Sequence, residues 1–149
     1  MMTFIGLFKR KSMLVSFLLG VAAFSLPMYL LLDRSPAVET TIRMEPDHVV
    51  PGQKAEAVWT VKVLRPHCRG LVHRTMIDSQ NRIFAFSSIS SVIHGEVGTE
   101  DTYRYDWIIP MGMSPGKAVF RRNTERWCNP LQRWLWPMQE VHEAHFTVE

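Results

Sequence analysis

The chain has 149 residues, of which 46% are hydrophobic, and a formal net charge of +3. This length allows one compact domain of about 100 residues beside a short extra segment, and leaves little room for a second domain. The excess charge comes from residues 9–11, since beyond them fourteen basic residues (17 − 3) balance fourteen acidic ones; such a neutral domain is a poor candidate for nucleic-acid binding, which requires clustered cations.

The head of the chain combines a basic stretch with a long uncharged one. Residues 1–12 contain Lys9, Arg10 and Lys11, and residues 13–32 carry no charge. About 20 apolar residues are needed for a helix to cross a bilayer, so the pattern predicts a transmembrane helix over 13–32 that acts as a signal anchor. The basic flank predicts a cytoplasmic N-terminus. The expected location is therefore the inner membrane in a single pass, with a linker at 33–39 and a domain at 40–149 in the periplasm or outside the cell.

A cleaved secretory signal is the alternative, because Ser35, Pro36 and Ala37 offer small residues where a cut is expected. Both interpretations place the domain in an oxidising compartment. There, the two cysteines of a small domain are most simply joined, which predicts a disulfide between Cys68 and Cys128.

Period-two patterning dominates the rest of the chain. "KAEAVWTVKV" places Ala55, Ala57, Trp59, Val61 and Val63 on one face, and the Pro51-Gly52 turn precedes it. "GLVHRTMID" predicts a second strand whose core face is ambiguous, and "DSQN" predicts the hairpin turn into "RIFAF".

Later segments continue this pattern. "TYRYDWIIP" predicts an aromatic strand with one wet side, "MSPGKAVFRR" a turn followed by a strand, and "EAHFTVE" a closing strand. Between them, "SSISSVIHGEVGTED" predicts a long loop or a weak edge strand. Short strands separated by turn residues predict a mainly β fold, an antiparallel β-sandwich.

The order of these features resembles immunoglobulin-like or fibronectin-type sandwiches. The resemblance rests on the Pro-Gly turn, the strand carrying Trp59, Cys68, "YRYDW", "SPGKAVF" and Cys128. The whole layout is also similar to small uncharacterised one-span proteins of bacteria and their phages. True immunoglobulin domains place the strand tryptophan between the two cysteines, whereas Trp59 precedes both, so the inter-sheet disulfide of that family is not carried over. The resemblance implies a fold and no function.

The sequence offers few signatures of catalysis or metal binding. "VHEAH" places His142 and His145 three residues apart, and in a strand these side chains point to opposite faces. No HExxH or paired CxxC spacing is present, and no GxSxG or SxxK motif surrounds the serine cluster at 87–91. We therefore predict no catalytic residue, no metal site and no cofactor.

Arginine and tryptophan surround both cysteines, and a disulfide would bring the two segments together. The candidate binding residues are Arg65, Arg69, Arg74, Arg121, Arg122, Arg126, Arg133, Trp127, Trp134 and Trp136. The acids that balance them are expected elsewhere, at Glu96, Glu100, Asp101, Glu140 and Glu143, which predicts a polarised surface. Arginine beside tryptophan is common in interface hot spots and suits carboxylate or phosphate recognition. The alternative is that the tryptophans cover the disulfide and the arginines face water.

The sequence thus predicts a membrane-tethered, extracytoplasmic binding or adaptor domain that is not an enzyme and has a protein or envelope partner. An envelope-acting enzyme on peptidoglycan or lipid is the alternative, as is a phage-encoded envelope or lysis accessory protein. No nucleic-acid partner is expected.

Overall fold

The computed structural model describes the backbone of residues 4–149 and the side chains of residues 15–30 and 32–149. The described part of the chain is mainly β and has a β-sandwich-like fold. Its elements in chain order are α1 (Phe4–Leu32), β1 (Val38–Glu45), β2 (His48–Val49), β3 (Lys54–Val63), β4 (Arg69–Ile77), β5 (Ile83–Val92), β6 (Glu100–Ile108), β7 (Gly116–Trp127), α2 (Pro130–Leu135) and β8 (Met138–Val148).

The prediction of a transmembrane helix over 13–32 is wrong. No helix within the described part of the chain is both long enough and apolar enough to cross a bilayer. The signal anchor, the membrane contact through 13–32 and the single-pass inner-membrane location are overturned by the same finding. The predicted basic head, 1–12, lies outside the residues whose side chains are described.

Two sheets face each other. The smaller has the order β1-β3-β6, and the larger has the order β2-β8-β7-β4-β5. All pairs are antiparallel except β2 with β8, where two residues pair in parallel. Strands β5 and β6 are the last strands of their sheets, so one side of the sandwich is bounded by two unpaired strand edges.

The alternation along each strand determines which residues meet between the sheets. Strand β3 coincides with the predicted segment, and Ala55, Ala57, Trp59 and Val63 are buried as expected. In β4 the ambiguous face is resolved, because Val72 and Met76 are fully buried. The face that includes Arg74 therefore points into the sandwich.

Buried apolar residues form two clusters. The larger packs Met76, Phe120, Phe146 and their neighbours against Trp59. The smaller contains Ala37, Val38, Val63, Cys68 and Ile93 and lies at the other end of the strands. The interior therefore consists of one well-filled end and one sparsely filled end.

Several predicted segments changed their bounds. The serine-rich region continues β5 as an edge strand up to Val92, and the closing strand begins at Met138. The short helix α2 and strand β2 were not predicted. Asn129 caps α2 by accepting a hydrogen bond from Gln132 N at 2.9 Å, a capping pattern that is typical of Asn.

The predicted disulfide between Cys68 and Cys128 is confirmed, with Cα atoms 4.2 Å apart. Cys68 precedes β4 and Cys128 follows β7, and these strands are neighbours in the larger sheet, where Arg69 pairs with Trp127. The bond therefore ties two strands of one sheet together and does not join the two sheets, consistent with the position of Trp59 before both cysteines.

Candidate functional site

The alternation of β7 places two arginines inside the sandwich. Ala118, Phe120, Arg122, Thr124 and Arg126 share the buried face of this strand. Arg122 is 8% exposed and Arg126 is 3% exposed. Because arginine is almost never fully buried without a partner, these positions are unusual.

Cross-strand register extends this polar region across the sheet. Arg122 lies opposite Arg74 of β4 on one side and opposite His142 of β8 on the other. Arg74 donates a hydrogen bond to the Ser87 carbonyl and lies over the Trp107 ring, with its Cζ 4.8 Å from the ring centroid. A row of cationic and titratable side chains thus crosses the middle of the larger sheet.

Arg122 has an aromatic neighbour but no ion-pair partner among the described residues. Its Cζ lies 4.2 Å from the centroid of the Trp59 ring, a cation–π geometry. Among the described residues it makes no hydrogen bond or ion pair, and its buried Nε has no partner. Burial, followed by the like charge of Arg126, lowers the pKa of Arg122 to about 10. The guanidinium stays protonated at neutral pH, and its charge is offset only in part by Glu140, which is already paired with Arg126.

Arg126 is paired, but not completely. Its Nε donates to Glu140 Oε2 at 3.0 Å, and the two side chains are 3% and 14% exposed. One further nitrogen of Arg126 and the second oxygen of Glu140 are buried without a partner. Three inward arginines, Arg74, Arg122 and Arg126, therefore share a single carboxylate.

A cleft of about 310 Å³ opens between the sheets beside these arginines. We refer to it as the inter-sheet cleft. Arg122, Arg126 and Trp59 line its inner end, which lies on the third strand in from the β5 edge. Its walls are mainly apolar and include Val61, Val72, Ile89 and Ile93. Tyr103 and Tyr105 of β6 form part of the wall that belongs to the smaller sheet.

The shape of the cleft follows from how the two edge strands converge. Phe86 of β5 contacts Trp107 of β6, with ring centroids 4.7 Å apart. Beyond this contact, residues 89–93 and 101–105 of the same two strands line the cleft instead of touching each other. Tyr103 and Tyr105 are 44% and 38% exposed for this reason, although an aromatic strand of a closed sandwich would bury them.

His142 borders the arginine row from β8. Burial and, next, the charge of Arg122 lower the pKa of His142 below its ordinary value. His145 lies on the opposite, exposed face of β8, as the strand assignment predicted. No group of three metal-ligating side chains occurs among the residues that are described.

The other predicted site residues lie outside the cleft. Arg65 pairs with Asp33 at 2.9 Å, and Arg121 pairs with Glu143 at 2.7 Å. Around the disulfide, a shallow surface that we call the outer patch is formed by His67, Arg69, Trp127, Asn129, Arg133 and Trp134. Trp136 lies beside it, 58% exposed, under the guanidinium of Arg34. The ten predicted residues therefore fall into three groups. These are the interior arginines (Arg74, Arg122 and Arg126), the outer patch (Arg69, Trp127, Arg133 and Trp134) and other positions outside the cleft (Arg65, Arg121 and Trp136).

Helix α2 positions the outer patch. The side chains of Asn129 and Gln132 donate hydrogen bonds to the carbonyls of Leu30 and Asp33, at 3.0 and 2.6 Å respectively. Arg133 lies 5.8 Å from the ring centroid of Trp134, which is 79% exposed. These cations face water, so nothing in the outer patch demands a ligand as strongly as the buried, unpaired Arg122 does.

The predicted separation of acids and arginines is wrong at two positions. Glu140 and Glu143 lie opposite Thr124 and Arg121 in the β7–β8 pairing, and each forms an ion pair with an arginine. The site residues missed from sequence are Trp59, Tyr103, Tyr105 and Glu140. Buried and more exposed residues alternate along β7, and counting every second residue from Phe120 predicts that Arg122 and Arg126 point inward.

Comparisons with known proteins add the fold alone. No family model matches the chain, and no curated protein matches it. Among solved structures it is similar to the C-terminal domain of wzt, with 10% identity and a TM-score of 0.50 over 77% of this chain and 75% of that one. Spo0M from Bacillus subtilis gives 15% identity and a TM-score of 0.49 over 77% of this chain. The alkylpurine DNA glycosylase AlkC of Pseudomonas fluorescens gives 14% identity and a TM-score of 0.48 over 82% of this chain.

The chain spans 33% of the length of AlkC and 50% of that of Spo0M. At these identities, none of the three carries an activity over to this chain.

Proposed function

We propose that this chain is a non-catalytic binding domain whose ligand is an anion held at the inner end of the inter-sheet cleft. The observation that carries the proposal is Arg122, which lies on the wall of an open cleft and is buried, charged and without a hydrogen-bond or ion-pair partner among the described residues. A buried charge without a partner is costly, and a bound oxyanion would accept hydrogen bonds from Arg122 and offset its charge.

Charge balance supports an anion. The inward arginines Arg74, Arg122 and Arg126 are opposed by Glu140 alone among the neighbouring carboxylates. A planar guanidinium presents parallel N–H donors that match the oxygens of a carboxylate or phosphate. Arg122 is also held over Trp59, so its orientation is set before a ligand arrives.

A binding role is favoured over catalysis by the chemistry of these groups. Guanidinium groups remain protonated at neutral pH and cannot exchange protons with a substrate. They can hold and orient an anion. The aromatic and aliphatic walls of the cleft give shape and exclude water, as is usual in ligand sites.

The test is a titration of the full-length chain with sodium phosphate and sodium acetate, followed by calorimetry and by NMR of the arginine Nε–Hε groups. We expect saturable binding that shifts the Arg122 signal. Arg122→Met should weaken it roughly tenfold to hundredfold, the range for charge-assisted hydrogen bonds.

Arg121→Met is the matched control, because Arg121 is the next residue along the same strand and faces solvent in a pair with Glu143. It removes an equal charge and should leave binding unchanged. Absence of saturable binding, or equal weakening by both substitutions, would show that the anion site does not exist.

A further inference from the structure

The walls of the inter-sheet cleft indicate which kind of anion it accepts. This step rests on the proposed function and goes beyond it, since charge alone does not distinguish a bare inorganic ion from an organic one. The relevant observation is the distribution of polar and apolar side chains between the inner end and the mouth.

The cationic groups lie only at the inner end. Arg122 and Arg126 belong to β7, and β4 and β5 separate them from the open side of the larger sheet. Strands in a sheet are spaced about 4.8 Å apart, so a ligand bound to these arginines extends roughly 10 Å before it leaves the cleft.

The surface between the arginines and the mouth is mainly apolar, although Thr40, Ser90, Ser91 and His94 also line the cleft. On the larger sheet it includes Val72, which is fully buried, and Ile89, which is 37% exposed. On the smaller sheet it includes Val61 and the tyrosine rings of β6. An inorganic anion would leave this surface in contact with water, whereas an apolar chain would cover it.

The mouth carries a negative charge. Asp101 lines it and accepts a hydrogen bond from the Tyr103 hydroxyl at 3.4 Å. A second anionic group at the far end of a ligand would lie near this carboxylate and be repelled by it. The cleft is therefore cationic inside, mainly apolar along its length and acidic at the opening.

From this arrangement we infer that the ligand is an amphipathic oxyanion, a carboxylate or phosphate head on a single apolar chain, with its head between Arg122 and Arg126 and its chain along Val72 and Ile89. A cleft of about 310 Å³ is at the small end of ligand sites, so the chain is short or only partly enclosed.

The first experiment measures Kd of the full-length chain for acetate, butyrate, hexanoate and octanoate, and for octyl phosphate to compare the two head groups. Each methylene that enters the cleft should tighten binding about fourfold. Octanol, which lacks the charge, should bind far more weakly than octanoate, and the dicarboxylate suberate should bind more weakly because of Asp101. Affinity that does not rise from acetate to octanoate would overturn this inference while leaving the anion site itself intact.

The second experiment changes a residue on the apolar wall of the cleft. Ile89→Ser should weaken octanoate roughly threefold to tenfold and leave acetate unchanged, since only the chain touches this residue. Ile83→Ser is the matched control, because Ile83 lies on the same edge strand, is 67% exposed and does not line the cleft. Equal octanoate affinity in both variants would show that the chain lies elsewhere, and Arg122→Met separates that result from failure of the anion site.

Discussion

The two ends of strand β4 differ in how completely the buried polar groups near them are hydrogen bonded. At its C-terminal end, Asp78 is 3% exposed and fully hydrogen bonded. Its carboxylate accepts bonds from the backbone N–H groups of Gln80, Arg82 and Ser114 and from the Arg82 Nε, all between 2.8 and 3.0 Å. The inter-sheet cleft extends from the middle of β4 toward the disulfide end, and Arg122, opposite Arg74, has no such partners there.

The apolar packing around these polar groups also differs between the two ends. The Asp78 end adjoins the larger apolar cluster, with Met76 and Phe120 fully buried. The disulfide end has the smaller cluster, and an open cleft lies beside it. A satisfied polar group in a filled core fixes the fold, whereas an unsatisfied one beside a cleft contributes nothing to stability. The covalent bond lies at the end where packing is sparse.

The largest expected effect comes from removing that bond. Cys68→Ser with Cys128→Ser opens a loop of 60 residues, which the chain-entropy relation values at about 4 kcal/mol of unfolding free energy. Urea unfolding of the variant and of the reduced wild type measures it. Reduced protein that unfolds at the same urea concentration as oxidised protein would show that packing alone holds the cleft end together.

Next in size is loss of the paired arginine. Arg126→Met leaves Glu140 as a largely buried carboxylate without a partner, and we expect a loss of about 3 kcal/mol. The double variant Arg126→Met with Glu140→Leu removes both charges and should recover most of that loss in urea unfolding. If the double variant is as unstable as the single one, the ion pair is not the cause.

The contrast between the ends also shows what sequence could predict. Strand β3 and the disulfide were predicted correctly, because alternation of Ala55, Ala57 and Trp59 is a local signal and two cysteines offer only one pairing. The inward direction of Arg122 follows from an equally local alternation with Ala118 and Phe120, but the sequence-based prediction placed this arginine on a contact surface around the disulfide. The pairing of Glu140 with Arg126 depends on the β7–β8 register, which spacing along the chain does not specify. The span predicted over 13–32 is wrong, since no helix in the described part of the chain is both long and apolar enough to cross a bilayer.

A third prediction concerns acid and tests the Asp78 end. Burial of this carboxyl would by itself raise its pKa, but hydrogen bonds from Ser114, Arg82 and Gln80 outweigh burial and hold the pKa at about 2. Because this pKa is below that of an unfolded aspartate, about 3.9, the stabilisation is fully present above that pH and is lost as the pH falls towards 2.

Urea unfolding measured between pH 5 and pH 2 should therefore show a decline that is smaller in Asp78→Asn, which has no charge to lose. The variant should be less stable than wild type at neutral pH, because the amide cannot accept all four hydrogen bonds. Parallel declines in the two proteins would assign the acid sensitivity to other carboxyls.

The smallest effect is the most informative about the cleft. Arg122→Met removes a charge that is buried without an acid, and the cost of burying that charge opposes its cation–π contact with Trp59. We expect the ligand-free variant to be as stable as wild type or up to about 1 kcal/mol more stable, in contrast to Arg126→Met. A saturating anion should then stabilise wild type, since binding to the folded state alone shifts unfolding, and should leave Arg122→Met unchanged.

Thermal unfolding with and without phosphate measures both quantities, and Arg121→Met again provides the solvent-facing control. A loss of stability in Arg122→Met as large as that in Arg126→Met would show that Arg122, like Asp78, stabilises the fold. The expected outcome is that changing Asp78 or Arg126 lowers stability, whereas changing Arg122 weakens anion binding without lowering stability.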